Sequence, residues 1–429
     1  MVRPSLNIPR NPWIRAAAFS VLGLFFRLWH LSQPKGLVFD EVYYVKNAHS
    51  LLLHGVEIDS SGAGEFIVHP PLGKWLIALG IKAFGYNEFG WRFSAALVGA
   101  LSIGLIYLTA EKLFATPFIS AAAAILMASD GLHLVMSRTA LLDIFLMFFL
   151  QVALYGIITQ RHWLAGVAFG FALGCKWSGI YELVAFLPLI FYMTFRAQSR
   201  LRTYFLRAAQ YLVLPFTLYC ASWIGWLLTT AGYDRHSHLN RFRSLITYHL
   251  DILNFHKDLT TPHPYSANPW NWLIQSRPTA FFYQEPASCG ASKCAQEVLG
   301  IGTPILWWIG CLSIATLVGF WIARREWRIG FILVALLSEY LPWFLIQKRT
   351  MFNFYAIAFE PALILAIVAL ADRWLSAATD PNNVRFRKNI VIALIVLIFL
   401  NFLYFLPLFT GTSIPYSTWY HRMWLPSWI

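Results

Sequence analysis

Residues 91–112, WRFSAALVGALSIGLIYLTAEK, decide the fold class of this chain. After Arg92 the stretch continues through residues 93–110 without a single charge. A helix needs about 20 such residues to cross the roughly 30 Å of hydrocarbon in a bilayer. The strands of a membrane barrel would instead alternate between apolar and polar residues. The stretch therefore predicts a membrane-spanning α-helix.

The composition of the whole chain has the same character. Of its 429 residues, 58% are hydrophobic and only 12% are charged, compared with about 25% charged in soluble domains. We predict an all-α integral membrane protein whose surroundings are the lipid bilayer. The formal net charge of +13 does not indicate a nucleic-acid partner, because Lys and Arg are scattered between the apolar segments.

The apolar segments predict about eleven membrane helices in a single membrane-embedded domain over residues 1–429. The predicted spans are 14–31, 91–112, 117–134, 139–158, 162–175, 178–195, 207–229, 304–323, 329–346, 351–371 and 389–408. Two long segments, 32–90 and 231–303, then lie on the same side of the membrane. Connections of such length are usually functional or disordered, and the aromatic content of these two does not indicate disorder.

Orientation follows from four basic clusters, which all fall on the side opposite the long segments. They are RNPWIR (10–15), RAQSRLRTYFLR (196–207), ARREWR (323–328) and NNVRFRK (382–388). Because short cytoplasmic loops carry excess Lys and Arg, we predict a cytoplasmic N-terminus. Arg3 and Arg10 precede the first span, which lacks a cleavage signal and is expected to remain as an anchor. The protein is expected to be a multi-pass protein of the cell membrane, with both long segments extracytoplasmic.

An acidic pair, Asp40 and Glu41, stands in VFDEVYYVKNAHSLLLHG (38–55), just after the first predicted span. Asp40 precedes a predicted helix over 41–54 that Gly55 ends, so a capping role is one interpretation. Catalysis is the other. The two are compatible, because a capping carboxylate is also held in a fixed position.

Many other charged groups reach the same outer side in this topology. Arg92 and Arg138 each open an apolar span, where a guanidinium can hold a phosphate bidentately. For Lys74 and Lys348, ordinary snorkelling to the membrane surface is an equal alternative to a functional role. The remaining charged residues of this group are His69, Asp130, Asp143, Lys176 and Arg349.

Two further motifs lie in the long segments. In HPPLGK (69–74) the prolines fix a turn before a short helix, so His69 is held in place; a structural role and a ligand role both remain open. The other histidines (His236, His238, His249, His256 and His263) form a diffuse patch that is only a weak metal signal. Cys289 and Cys294 lack the partners of a zinc knuckle and favour a disulfide in an oxidising compartment. We predict no metal site from spacing.

These motifs resemble the protein O-mannosyltransferases that use a polyprenyl-phosphate mannose donor, in their actinobacterial form. The resemblance is carried by FDEVYYVKNA (39–48), HPPLGKWLIA (69–78), WRFSAALVGALSIGLIY (91–107), ASDGLHLVMSRTALLDIFLMFF (128–149), GCKWSGIY (174–181), HPYSANPWNWLIQSRP (263–278), GTPILWW (302–308) and LPWFLIQKRTMFNFYAIAFEP (341–361). It implies a C-type glycosyltransferase fold with interfacial helices in the first outer segment. It also implies transfer of mannose to Ser or Thr of polypeptides during secretion. The chain departs from the eukaryotic members of the family in one respect, because the second outer segment, 231–303, is too short to hold their β-trefoil insertion.

The resemblance further implies roles for individual residues. Asp40 and Glu41 match the catalytic acidic motif, and Arg92 and Arg138 match arginines directed at the donor phosphate. We expect Lys74 and Arg349 to assist at the phosphate. His69, Asp130 and Asp143 are expected to position substrate.

One base suffices for this reaction because phosphate leaves as a stable anion. Asp40, with the reference pKa of about 3.9, would take the hydroxyl proton, and a single displacement inverts the anomeric carbon. Glu41 would orient the loop or the acceptor. A divalent cation as helper stays open.

Two alternatives remain. One is a related transferase that places another lipid-linked sugar on a glycan or lipid. The other is a transporter, which typically has broken helices in two matching halves; the sequence lacks that symmetry.

Overall fold

The structure, a computed structural model, describes residues 11–429; Arg3, Arg10 and the rest of residues 1–10 lie outside the described part. Most of the chain is helical. In chain order the helices are α1 (Pro12–Leu28), α2 (Glu41–His54), α3 (Leu72–Phe84), α4 (Glu88–Phe114), α5 (Pro117–Ala128), α6 (Gly131–Met136), α7 (Asp143–Ile158), α8 (His162–Cys175), α9 (Ile180–Arg196), α10 (Leu201–Ala208), α11 (Leu214–Ser222), α12 (Ile224–Leu228), α13 (Arg241–Asp258), α14 (Pro269–Trp272), α15 (Pro304–Arg324), α16 (Trp327–Tyr340), α17 (Glu360–Ser376), α18 (Pro381–Thr410) and α19 (Tyr416–Tyr420). Three strands form one small sheet: β1 (Thr279–Gln284), β2 (Cys294–Gly300) and β3 (Ile414–Pro415).

Within residues 11–429, six helical stretches are long and apolar enough to cross a bilayer. They are Glu88–Phe114, Trp177–Arg196, Pro304–Arg324, Trp327–Ile346, Asn353–Ser376 and Pro381–Thr410. Three apolar helices, α5, α7 and α8, are shorter than 18 residues. The all-α membrane class is confirmed, whereas the count of eleven spans is not.

The predicted span 207–229 is not one regular helix. Between α10 and α12 the backbone passes through a π-helical turn, Ala209–Val213, and a break at Trp223. A π-turn shifts the helical register by inserting a residue into the hydrogen-bond ladder, which apolar periodicity alone does not reveal.

The centre of the bundle is built from α4 and α17, whose spanning windows are 67% and 89% buried, while α15 and α18 are 28% buried and form the periphery. α1 packs closely along α4. At Gly104 a side chain would collide with the α1 backbone at Ala16. Small residues at such crossings let helix backbones approach each other in membranes.

The first outer segment contains α2 and α3, which have 14 and 13 residues. Both are too short to cross a bilayer. The predicted helix over 41–54 is confirmed, and Gly55 ends it in the left-handed region at φ 74°, where a glycine carries no Cβ penalty.

The second outer segment contains α13, α14 and the antiparallel β1–β2 hairpin. Cys289 and Cys294 are joined by a disulfide at the turn of this hairpin, with their Cα atoms 5.9 Å apart. The C-terminal tail adds β3 beside β2. A buried cluster that includes Val56, Ile67 and Trp223 connects the first outer segment to α12 and α13.

Candidate active site

The best-buried ion pair of the molecule joins Glu41 to Arg92. Both side chains are fully buried, and the pair is bidentate: Arg92 Nε donates to Glu41 Oε1 at 2.9 Å and its Nη2 to Oε2 at 2.9 Å. The same carboxylate accepts from the backbone N–H groups of Val38 at 3.0 Å and Ala140 at 2.9 Å. Such fork-to-fork pairs are strong and directional, so the start of α2 is fixed relative to α4 and to the loop before α7.

Arg92 also gathers the loop that leads to the acidic pair. Its remaining donors reach the carbonyl oxygens of Leu31 at 3.3 Å, Pro34 at 2.8 Å and Gly36 at 3.0 Å. We call Glu41, Arg92 and these three carbonyls the loop clamp. Within it, the guanidinium has no donor left for a ligand.

Arg138 has an equivalent role at the end of α1. Its Nη1 donates to the carbonyls of Arg27 at 2.8 Å and Trp29 at 2.6 Å, and its Nη2 to that of His30 at 2.9 Å. Carbonyls in the last turn of a helix lack partners within the helix. Arg138 supplies those partners at the point where the chain leaves α1.

Asp40 lies directly beside the loop clamp but makes none of its contacts. It occupies the N-cap position of α2, yet its side chain accepts no capping hydrogen bond. The capping interpretation is therefore not supported, and the carboxylate remains available for another role. The preceding residue, Phe39, has a φ of 47°, an uncommon conformation for a bulky side chain.

The strained Phe39 is held by aromatic neighbours from distant parts of the chain. Its ring meets Phe281, Phe352 and Phe354 edge-on, with centroids 5.1, 5.5 and 5.7 Å away. Edge-to-face pairs each add about 0.5–1.5 kcal/mol beyond burial. The cluster connects the loop of Asp40 to β1 and to the chain before α17.

The surroundings of Asp40 change its acidity. Burial raises the pKa of its carboxyl to about 6, with the charge of Lys176 acting in the opposite direction. Asp143 adds to the rise, and a hydrogen bond with Tyr44 opposes it. The expected reference pKa of about 3.9 therefore needs correction, because the sequence does not show that the group is desolvated.

Asp143 and Lys176 form a second buried ion pair next to Asp40, with Lys176 Nζ 2.9 Å from Asp143 Oδ1. The Lys176 ammonium also lies over the ring of Tyr355, 4.6 Å from its centroid. Lys176 and Tyr355 both line a cavity with a volume of about 620 Å³.

The lining of this cavity has a strong charge bias. It contains the cations Lys176, Lys257, Lys348 and Arg349 together with two histidines, His69 and His256. None of the residues that line it is Asp or Glu. This excess of positive charge suits an anion such as a phosphate.

Another part of the cavity lining is apolar. It includes Leu253, Phe344, Leu345 and Ile346, and Leu345 is 87% exposed. Leu345 and Ile346 belong to a stretch that is apolar enough to cross the bilayer. A cavity lined by both cationic and apolar side chains suits an amphiphile with an anionic headgroup.

Arg349 is the arginine among the residues that line the cavity. Its Nη2 lies 3.2 Å from His256 Nδ1, and its Nε is buried without a hydrogen-bond partner in the described chain. The rings of His256 and His69 lie 5.3 Å apart. Burial lowers the pKa of His256 to about 4 and that of His69 well below its usual value, so both are neutral at pH 7.

Two further residues singled out from the sequence, Lys74 and Asp130, also lie outside the lining of this cavity. Lys74 is buried in an ion pair with Glu57, at 2.6 Å. Asp130 accepts hydrogen bonds from Thr303 N at 2.7 Å, Trp307 Nε1 at 3.0 Å and His133 N at 3.2 Å. Asp130 therefore connects the start of α6 to α15.

Two family models together cover most of the chain. Residues 17–224 match the model for dolichyl-phosphate-mannose-protein mannosyltransferase. Residues 241–428 match the model for the C-terminal four-helix transmembrane region of protein O-mannosyltransferase. A curated relative, the polyprenol-phosphate-mannose–protein mannosyltransferase of Mycobacterium tuberculosis H37Rv, is 32% identical, and the alignment covers 97% of this chain and 92% of the relative. The chain belongs to the protein O-mannosyltransferase family.

Solved structures support the same fold for this family member. The Saccharomyces cerevisiae protein O-mannosyltransferase Pmt1-Pmt2 complex bound to the sugar donor gives a TM-score of 0.83 at 15% identity, covering 99% of this chain and 94% of that one. ArnT from Cupriavidus metallidurans in the apo state gives 0.58 at 14% identity, covering 93% and 76%. The fold is that of the C-type membrane glycosyltransferases.

Sequence reasoning did not assign several cavity residues of this protein O-mannosyltransferase. Lys176 and Lys348 were recognised as outer-side charges but not as members of a site, and His256, Lys257 and Tyr355 were not connected to it. The available signal was that Lys176 and Tyr355 lie in two of the family-like motifs, 174–181 and 341–361. His256 and Lys257 lie on α13 and reach the cavity because α13 packs against the chain after α16.

No group of three or more His, Cys, Asp or Glu side chains among residues 11–429 is arranged to hold a metal ion. The histidines of the second outer segment bind other partners instead. His249 Nε2 lies 2.7 Å from Tyr219 Oη, and His238 Nε2 lies 3.0 Å from Thr247 Oγ1.

Proposed function

We propose that this protein transfers mannose from polyprenyl-phosphate mannose to Ser or Thr hydroxyls of polypeptides during secretion, at the extracytoplasmic face of the cell membrane. Family membership supports the mannose donor and the protein acceptor. The structural observation that carries the proposal is the carboxylate of Asp40, which caps no helix and whose pKa responds to the charge of Lys176 in a cationic cavity.

The donor phosphate would bind in the cavity rather than at the loop clamp. Lys176 and Arg349 line the interior, and the Nε of Arg349 has no partner in the described chain. The apolar wall around Leu345 would receive the first isoprene units. The donors of Arg92 are all directed at Glu41 and at backbone carbonyls, and Arg138 makes three hydrogen bonds to backbone carbonyls. We therefore assign both residues to positioning the loop instead of the phosphate.

The reaction would be a single displacement. The acceptor hydroxyl oxygen forms a bond to the anomeric carbon while the bond from that carbon to the phosphate oxygen breaks. Asp40 takes the hydroxyl proton as general base, and the lipid phosphate leaves as an anion stabilised by Lys176 and Arg349. One displacement inverts the anomeric carbon.

The pKa of Asp40 suits this role. A base works best when its pKa lies near the operating pH while the group is still ionised. A carboxyl with a pKa of about 6 is mostly ionised at neutral pH and is a stronger base than an ordinary aspartate. The loop clamp would fix the direction of this carboxylate through its neighbour Glu41.

The remaining residues from the sequence are assigned by location. Asp143 would hold Lys176 in place through their ion pair. His69 lines the cavity as a neutral ring and would contact the sugar phosphate or the sugar. Asp130 and Lys74 would support the fold.

The experiment is a transfer assay with the purified full chain, radiolabelled polyprenyl-phosphate mannose and a Ser/Thr-rich peptide. We expect label on the peptide and none on a matched peptide with every Ser and Thr replaced by Ala. Label on a glycan or lipid acceptor but not on the peptide would overturn the proposed acceptor. Transfer of another lipid-linked sugar in place of mannose would overturn the proposed donor.

A further inference from the structure

A second cavity lies between α5, α15, α17 and α18 and has a volume of about 270 Å³. We call it the apolar slot. Of its fourteen lining residues only Ser313 is a small polar residue, and the rest are aliphatic or Trp374. The slot is smaller than the roughly 300–1,000 Å³ of typical drug-sized sites. A single hydrocarbon chain suits its size and its chemistry.

The slot extends from the end of the bundle opposite the candidate active site, at Trp374, to the middle of α18. The C-terminal end of α18 lies on the same side of the bundle as the candidate active site, because Gly411, its C-cap, packs near Val298 of β2 and Pro34 of the loop clamp. α18 has 30 residues and is therefore about 45 Å long. The slot is lined by the central part of this helix, from Ile390 to Ile398, and Arg387 and Lys388 come just before that part.

Two cations lie at the opposite-face end of the slot. Arg387 has its guanidinium carbon 5.6 Å from the ring centroid of Trp374, a lining residue, and donates to the Trp374 carbonyl at 2.6 Å. Lys388 Nζ lies 4.9 Å from the ring centroid of Phe118. Phe118 is one helical turn before Ala122, which lines the slot on α5. The cations therefore flank the slot on two of its walls.

Neither cation is neutralised by a carboxylate of the described chain. The six ion pairs within residues 11–429 do not include Arg387 or Lys388. The two nearest acids in sequence have other partners: Asp380 accepts from Asn383 N at 2.9 Å, and Asp372 from Thr116 Oγ1 at 3.5 Å. An apolar slot with two unpaired cations at its end is complementary to an anionic lipid.

We propose that the slot binds an anionic glycerophospholipid, with one acyl chain along α18 and the headgroup phosphate between Arg387 and Lys388. A zwitterionic phospholipid would bring its own ammonium group to the same cations. A prenyl-linked sugar in the slot would lie at the opposite face from Asp40. This site is therefore separate from the cavity lined by Lys176 and Arg349, which we call the donor cavity.

The test is native mass spectrometry of the purified full chain, titrated with dioleoyl phosphatidylglycerol or with dioleoyl phosphatidylcholine. The two lipids share their acyl chains and differ in headgroup charge. We expect tighter binding of phosphatidylglycerol by roughly fivefold for each cation. The combined substitution Arg387→Gln and Lys388→Gln should remove this preference. Arg385→Gln, a matched control at an exposed arginine of the same helix, should retain it.

A second variant tests the slot itself. Leu394→Trp would fill it and should weaken binding of phosphatidylglycerol while the exposed cations remain. Equal affinity for the two lipids in the parent chain would overturn the proposal. An equal loss in Arg385→Gln would assign the preference to diffuse surface charge and overturn it too. The proposal would also be overturned if undecaprenyl phosphate displaced phosphatidylglycerol from the parent chain but not from the doubly substituted variant.

Discussion

The loop clamp and the donor cavity both use basic side chains, but they differ in what those side chains contact. In the clamp, Arg92 directs its donors at Glu41 and at backbone carbonyls. In the cavity, Arg349 has a histidine partner and an unpartnered Nε. Because a guanidinium presents five donors in a fixed geometry, the contacts of those donors distinguish a structural arginine from one that is available to a substrate. The residue type alone does not make this distinction, because both residues are arginines.

The same contrast separates the two acids of the pair. Glu41 accepts four hydrogen bonds from protein groups, whereas the Asp40 side chain caps nothing. The two adjacent carboxylates therefore differ in their contacts: Glu41 holds the loop, and Asp40 is free of those bonds and is the proposed base. Substitutions at the clamp should change stability, and substitutions at the cavity or at Asp40 should change kinetics.

The largest effect is expected at the clamp. Glu41→Gln removes the charge opposite a fully buried Arg92, and breaking such a pair costs about 3–5 kcal/mol. We expect a marked fall in the thermal unfolding midpoint of the purified protein. Glu88→Gln, at a half-buried partner of exposed Lys35, is the control and should shift the midpoint far less. Wild-type stability in Glu41→Gln would show that the clamp is not structural.

The next effect concerns turnover. Asp40→Asn keeps the size of the side chain but removes the base, so kcat should fall by roughly 100-fold or more, while thermal stability stays close to that of the parent. Asp59→Asn is a matched control, because Asp59 is exposed in a turn of the same outer segment. Normal transfer by Asp40→Asn would remove this residue from the proposed role.

The pH dependence should reveal the same carboxyl. Burial raises the pKa of Asp40 to about 6, and the base works only when it is deprotonated. Activity should therefore rise with pH through about 6 and level off above 7, and kcat/KM at pH 5 should be about tenfold below the plateau. A profile that is flat between pH 5 and 7 would contradict an elevated pKa.

The smallest effect is expected at the rim of the cavity. Lys348 is exposed although it lines the cavity, and exposed charges contribute about 0–1 kcal/mol. Lys348→Gln should raise the KM for the donor a few-fold and leave kcat unchanged. An unchanged KM would favour the alternative that Lys348 only reaches the membrane surface.

The sequence predicted those parts of the site that depend on local order. Asp40 and Glu41 are adjacent, a helix begins there, and Gly55 ends it, so periodicity and capping rules were sufficient. The partner of Glu41 was not predictable in this way. Arg92 is 51 residues away, and its guanidinium is directed inward only because α4 packs against the loop after α1.

The cavity and the span count were missed for related reasons. Arg349 was assigned to the phosphate because of its motif, but Lys257 and His256 join it only through the packing of α13, which lies in a segment without a strong pattern. Hydropathy predicted a continuous span over 207–229. The π-turn at Ala209–Val213 depends on backbone hydrogen bonding that hydropathy does not report.

The most direct test of the central claim is the affinity of the purified protein for polyprenyl phosphate, measured for Arg349→Gln and for Arg92→Lys. If the cavity holds the phosphate, Arg349→Gln should weaken binding about tenfold or more, and the folded fraction of Arg92→Lys should bind like the parent chain. Arg243→Gln, at an exposed arginine of α13, is the control and should bind normally. Weakened binding in Arg92→Lys with parental binding in Arg349→Gln would contradict the account.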